Sequence, residues 1–167
     1  PIGFDFSLHC NVVGQEESHA LANAIASHPK LPSGFGLTLS MCELKDTDAI
    51  ALAEGLMNAP SLPKGFTLNV GHNKIGSLGI SKILSLVERV NFERLNGLSI
   101  NISGNNISIG AGGASIANMI SGQYNLPSDF SLICNANSLG STGVQEIASS
   151  LGVNQNLPPN FTMGLSF

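Results

Sequence analysis

Tryptophan is absent from this 167-residue chain, tyrosine occurs once, and only 11% of the residues are charged. Large aromatic and cationic groups, the usual anchors of protein interfaces, are therefore scarce. Seven Lys and Arg stand against eleven Asp and Glu, for a net charge of −4 and a pI of about 5.4. Nucleic-acid recognition leans on basic surface, so no nucleic-acid partner is expected. No apolar run approaches the ~18 residues of a membrane span, and no membrane insertion is expected. The start, Pro1-Ile2-Gly3-Phe4, lacks the basic head and apolar centre of a signal peptide, and both ends look cut from a longer chain. Cys10, Cys42 and Cys134 form no paired framework. A reduced compartment fits them better than a disulfide scaffold does.

What the chain does have is apolar residues, 43% of the total. That is enough for one domain with a substantial core and too much for disorder. They recur with a long period. An aromatic residue or leucine opens each segment at Phe4, Phe35, Phe66, Leu98, Phe130 and Phe161, at intervals of 31, 31, 32, 32 and 31. FDFSLHCNVV, FGLTLSMCEL, FTLNVGHNKI, LSINISGNNI and FSLICNANSL begin five units, and FTMGLSF opens a sixth. Each alternates large apolar with small polar residues, as a strand does. Each complete unit then reaches a position held by Asn11, Cys42, Asn73, Asn105 or Asn137. Two residues later comes Val13, Leu44, Ile75, Ile107 or Leu139.

The second half of every unit changes period. Leu21-Ala22 with Ile25, Leu52-Ala53 with Leu56, Ile83-Leu84 with Val87, Ile116-Ala117 with Ile120, and Ile147-Ala148 with Leu151 form stripes of helical spacing. Leu-Pro-Ser-Gly-Phe, Leu-Pro-Lys-Gly-Phe, Leu-Pro-Ser-Asp-Phe and Leu-Pro-Pro-Asn-Phe then return the chain to the next strand. The third return, Phe92 to Leu98, lacks proline. One extra residue falls in the glycine-rich run Gly110-Ala-Gly-Gly113, read here as loop. A strand of roughly seven residues and a helix of roughly twelve cannot bury their apolar faces alone, so the units are expected to stack. Parallel strands sit ~4.8 Å apart and helices ~10 Å apart, which bends such a stack into an arc with the strands inside. The Asn position has a mechanical rationale. A buried amide can bond the backbone of its own and the adjacent turn, and the weak thiol donor of Cys42 is an accepted substitute.

These segments resemble the leucine-rich-repeat superfamily, whose core pattern LxxLxLxxNxL is met at Leu68, Val70, Asn73 and Ile75. The opening leucine is replaced by glycine or a polar residue, with phenylalanine one position later. The long period and alanine-rich helix are similar to the ribonuclease-inhibitor-like subclass. The return phrase is similar to repeats in effectors secreted by intracellular bacterial pathogens. The resemblance implies an α/β fold: a right-handed solenoid over 1–167, with parallel strands on a concave face and helices on the convex one. It also implies binding on the concave face or the loops beside it. For an effector the partner would be a host protein and the destination the host cytosol.

With the Asn as position nine, positions three, five, seven and eight face outward. They are small and nearly uncharged. Candidate binding residues are Met41, Asn69, His72, Asn101, Ile133 and Asn135, with Phe167 a further exposed anchor. Glu16, Glu17, Glu43, Asp46 and Asp48 gather where strands lead into helices in the first two units. They either meet a basic partner or simply favour helix starts through the macrodipole. No catalytic constellation is legible. His9 and His72 lie two strands apart, about 10 Å, too far for one zinc ion bound at ~2 Å. His19 and His28 do not join them, and Cys10 reads as a solvent-facing thiol beside His9. The glycine run lacks GxxxxGK[ST]. Sequons at Asn101, Asn106 and Asn160 are ascribed to an Asn- and Ser-rich composition. The expectation is a protein-binding module without metal, cofactor or turnover. The alternatives are a substrate-recruiting arm of an enzyme, or a structural spacer.

Overall fold

The computed structural model describes residues 3–28, 30–59, 62–88, 95–108, 110–122 and 125–166. Phe167 and the stretch from Phe92 to Arg94 in the third return lie outside them. The fold is α/β. Six strands, β1 (Asp5–Ser7), β2 (Gly36–Thr38), β3 (Thr67–Asn69), β4 (Ser99–Asn101), β5 (Ser131–Ile133) and β6 (Thr162–Gly164), form one parallel sheet in chain order. Between them run α1 (Gln15–Ser27), α2 (Asp46–Asn58), α3 (Ser77–Leu84), α4 (Ala111–Ile120) and α5 (Gly140–Val153), with a 3-10 turn at Ser85–Glu88 after α3. Phe6, Leu37, Leu68, Ile100, Leu132 and Met163 stand opposite one another across the sheet. The 31- and 32-residue intervals thus become strand register without a slip.

The strands are three residues long, not the seven that the alternation predicts. Their pleat ends early because the residue before each Asn position is left-handed: Cys10, Met41, His72, Gly104 and Ala136 have φ of 61°, 54°, 55°, 62° and 52°. The parallel bonding outlasts the pleat. Leu39 N–H donates to Asn69 O at 2.7 Å, Met41 N–H to Gly71 O at 3.2 Å, and His72 N–H to Ser103 O at 2.7 Å.

A second ladder forms where the chain enters each strand. Phe35 N–H donates to Pro32 O and Phe66 N–H to Pro63 O, both at 3.2 Å. These turns need a left-handed residue before the phenylalanine, supplied by Gly34 and Gly65 (φ 74° and 72°) and later by Asp129 and Asn160 (57° and 56°). Glycine adopts it freely, and Asp and Asn tolerate it better than other residues. In the return without proline, Leu95 takes the turn position, accepting from Leu98 N–H at 2.8 Å. Successive turns are tied together, with Gly34 N–H on Lys64 O and Gly65 N–H on Asn96 O, both at 2.8 Å.

Sheet and helices close on one core. Leu37, Leu39, Leu44, Leu52, Ala53 and Leu56 of the second unit are buried, as are Leu68, Val70, Ile75, Ile83, Leu84 and Val87 of the third. Each fully buried aliphatic side chain is worth about 1.5–3 kcal/mol over an exposed one. Phe4, Phe35 and Phe66 stack at 5.8 and 6.3 Å, and Phe130 and Phe161 at 5.9 Å; Leu98 separates the two stacks. The glycine run is not loop beyond Gly110. Gly112 and Gly113 lie inside α4, where a Cβ on Gly113 would meet Gly143 Cα of α5 at 2.5 Å. Close helix packing explains residues that would otherwise weaken a helix.

Candidate binding face

The Asn positions line the inner side of the turn that follows each strand, and their amides join neighbouring units. Asn73 Oδ1 accepts from Cys42 N–H at 2.8 Å and Leu44 N–H at 3.1 Å. Its Nδ2 donates to Leu39 O, Val70 O and Gly71 O at 2.8, 2.9 and 3.1 Å. Asn105 donates to Val70 O, Ile102 O and Ser103 O, and accepts from Ile75 N–H. Asn137 does the same toward Ile102, Cys134 and Asn135, and accepts from Asn105 N–H. Cys42 Sγ reaches Leu8 O at 3.1 Å and Ser40 O at 3.4 Å, the acceptors corresponding to two of those used by Asn73. Asn11 is exposed and bonds only within its own turn, to Leu8 O and His9 O.

On the sheet face away from the core, Asn69, Asn101 and Ile133 stand side by side in register. All three are half-buried. Asn69 Oδ1 accepts from Gly71 N–H and Asn101 Oδ1 from Ser103 N–H, each at 3.0 Å. Asn135 Oδ1 accepts from Ser166 N–H at 2.8 Å. A backbone N–H can face only the oxygen, so the orientation of each amide is set. No acceptor from the described residues meets those three NH2 groups. Met41, half exposed, and His72, exposed, sit at the turns and border a shallow depression of about 330 Å3 with Glu43, Lys74 and Gly104. The His72 ring lies directly over Gly104, which carries no side chain to displace it.

The acidic residues at the helix starts are largely engaged in structure. Glu17 Oε2 accepts from Gly14 N–H at 3.0 Å and Asp48 Oδ2 from Lys45 N–H at 2.7 Å, each at the head of its helix. Asp46 Oδ1 takes Gly76 N–H at 2.7 Å and Gly79 N–H at 3.0 Å, capping α3 from the preceding unit. That bridge was not legible in the sequence, since Asp46 caps a helix thirty residues away. Glu43 pairs with Lys74 at 3.3 Å on the surface. Such carboxylates satisfy helix-end donors and suit the positive end of the dipole.

Among the described residues no three His, Cys, Asp or Glu side chains converge, and no helix is long and apolar enough to cross a membrane. His9 Nδ1 lies 2.6 Å from Ser40 Oγ. Ser40 is buried, and among the described residues no carboxylate is bonded to the ring to orient it as a general base. Cys134 is buried with its thiol on Gly164 O at 3.1 Å, and burial pushes its pKa up to about 12. A thiol held protonated is a poor nucleophile. Cys10 is exposed. The face is equipped with fixed amide donors, hydroxyls and a few apolar side chains. In comparison with known proteins, the sequence matches no protein-family model and no curated protein.

Proposed function

We propose that the chain is a leucine-rich-repeat domain, a right-handed solenoid whose concave strand face binds a protein partner. The observation that carries the reading is the pair of fixed amides at Asn69 and Asn101. Their oxygens are bound to the backbone, their NH2 groups meet no acceptor among the described residues, and the pairing of β3 with β4 holds them one strand apart. Donors positioned before binding lose little entropy when a partner's carbonyl or carboxylate oxygens meet them. Ile133 continues the row with apolar surface, and Met41 and His72 extend it along the turns. The arc itself follows from strands ~4.8 Å apart facing helices that need ~10 Å. The ribonuclease-inhibitor-like period and the return phrase support an effector-like role, with a host cytosolic protein as partner.

The test replaces residues on this face without touching the core. Asn101→Arg and Ile133→Arg are expected to weaken binding of the captured partner at least about tenfold, while melting stays near the parent value. Asn118→Arg, on the exposed side of α4, should bind as the parent does. Parent-like binding by both sheet variants, with loss in Asn118→Arg, would move the site to the helices.

A further inference from the structure

Cys10 and Met41 carry a chemistry that the amide row does not use. They occupy the same left-handed position in consecutive units, with φ of 61° and 54°. Both are exposed, and Cys10 Sγ lies 3.9 Å from Met41 Sδ. The geometry points to a site for a soft monovalent metal ion, Cu(I), held between the Cys10 thiolate and the Met41 thioether.

Three features support it. Thiolate and thioether together are the donor set that selects Cu(I) over harder ions. A metal about 2.3 Å from each sulfur, the length of a metal–thiolate bond, would subtend an S–metal–S angle of about 115°. That is close to trigonal and leaves a third position open to solvent. The sulfurs also project from backbone that is already fixed. Cys10 N–H donates to Ser40 O at 3.1 Å, Met41 N–H to Gly71 O at 3.2 Å, and the neighbouring Cys42 thiol bridges Leu8 O and Ser40 O. Two donors on separate units are thus brought together without ordering a loop on binding. Zinc, which takes four N, S or O ligands, finds no such set among the described residues. On binding, the Cys10 S–H bond breaks, its proton passes to solvent, and the sulfur pair forms the bond to Cu(I). The ion keeps its oxidation state.

The test is an anaerobic titration of the full chain with Cu(I) against a chromophoric Cu(I) chelator. One equivalent should be withdrawn from the chelator. Cys10→Ser should abolish this competition, Met41→Leu should weaken it at least about tenfold, and Cys134→Ala should leave it unchanged. Both sulfurs are exposed, so Cys10→Ser and Met41→Leu should keep the parent melting curve, recorded alongside. No competition by the parent overturns the site. Parent-like affinity in Met41→Leu reduces it to a lone thiol and overturns it equally. Zn(II) binding as tight as Cu(I) would overturn the soft-ion assignment.

Discussion

Asn73 and Asn11 occupy equivalent positions yet differ in what they hold. Asn73 is buried, with both ends of its amide engaged across two units. Asn73→Ala would strip acceptors and donors from buried backbone groups, at ~1–3 kcal/mol for each group left unsatisfied. Urea denaturation should show a loss of at least about 3 kcal/mol. Exposed Asn11→Ala should cost less than about 1 kcal/mol; equal costs would show that the ladder does not bear the turns. Cys134 gives a second residue-scale expectation. Its folded pKa of about 12 lies above the ordinary 9.0, so the folded state keeps a proton that the unfolded chain releases. Stability from this group is complete below pH 9 and drains away as pH rises toward 12. Denaturation midpoints should fall over that window, less steeply in Cys134→Ala. At about pH 8 a thiol reagent should label Cys10 rapidly and Cys134 only on unfolding.

At the scale of elements, helices were more legible than strand ends. The stripes at Leu52, Ala53 and Leu56, and at Ile83, Leu84 and Val87, face the core where helical spacing puts them. Strand ends are set by left-handed Cys10, Met41, His72 and Ala136. That conformation is enriched in Asn, Asp and His, so of these four only His72 hints at it. It is imposed by the bonds of the turn to the next unit. The glycine run misled for a related reason: propensity disfavours glycine in helices, but Gly113 lets α4 approach Gly143 of α5. Gly113→Ala would gain helix propensity and lose that approach. Overpacking at ~1–3 kcal/mol outweighs the ~1 kcal/mol gain. A lower melting temperature is therefore expected, and a rise would show that the two helices separate freely.

Over the whole molecule, burial is uneven. β1 is exposed along its length, with Phe6 39% accessible and Phe4 just before it 48%, whereas Leu37, Leu68 and Ile100 of the next three strands are fully covered. At the other end, Ala148 is exposed and Leu151 half-buried, although their counterparts in the middle units are covered. Opening free energy follows buried contact. Amide exchange should therefore be slowest across β2 to β4 and the helices α2 and α3. It should be fastest in β1 and α5. Uniform protection would mean that the chain opens only as a single unit.

The sequence by itself determined the repeat, the register of all six strands and the interior row, because each depends only on counting residues along a periodic chain. It also set the ladder residues Asn73 and Asn105 apart from the outward-facing Asn69 and Asn101, by position in the repeat. Only the tertiary structure showed that Asn69 and Asn101 fix their amide oxygens on the backbone of their own turns, with NH2 groups that meet no acceptor among the described residues. Only it brought Cys10 to Met41 and Asp46 to the start of α3. These contacts join atoms some thirty residues apart, and their geometry depends on how one turn stacks on the next, which no local pattern encodes.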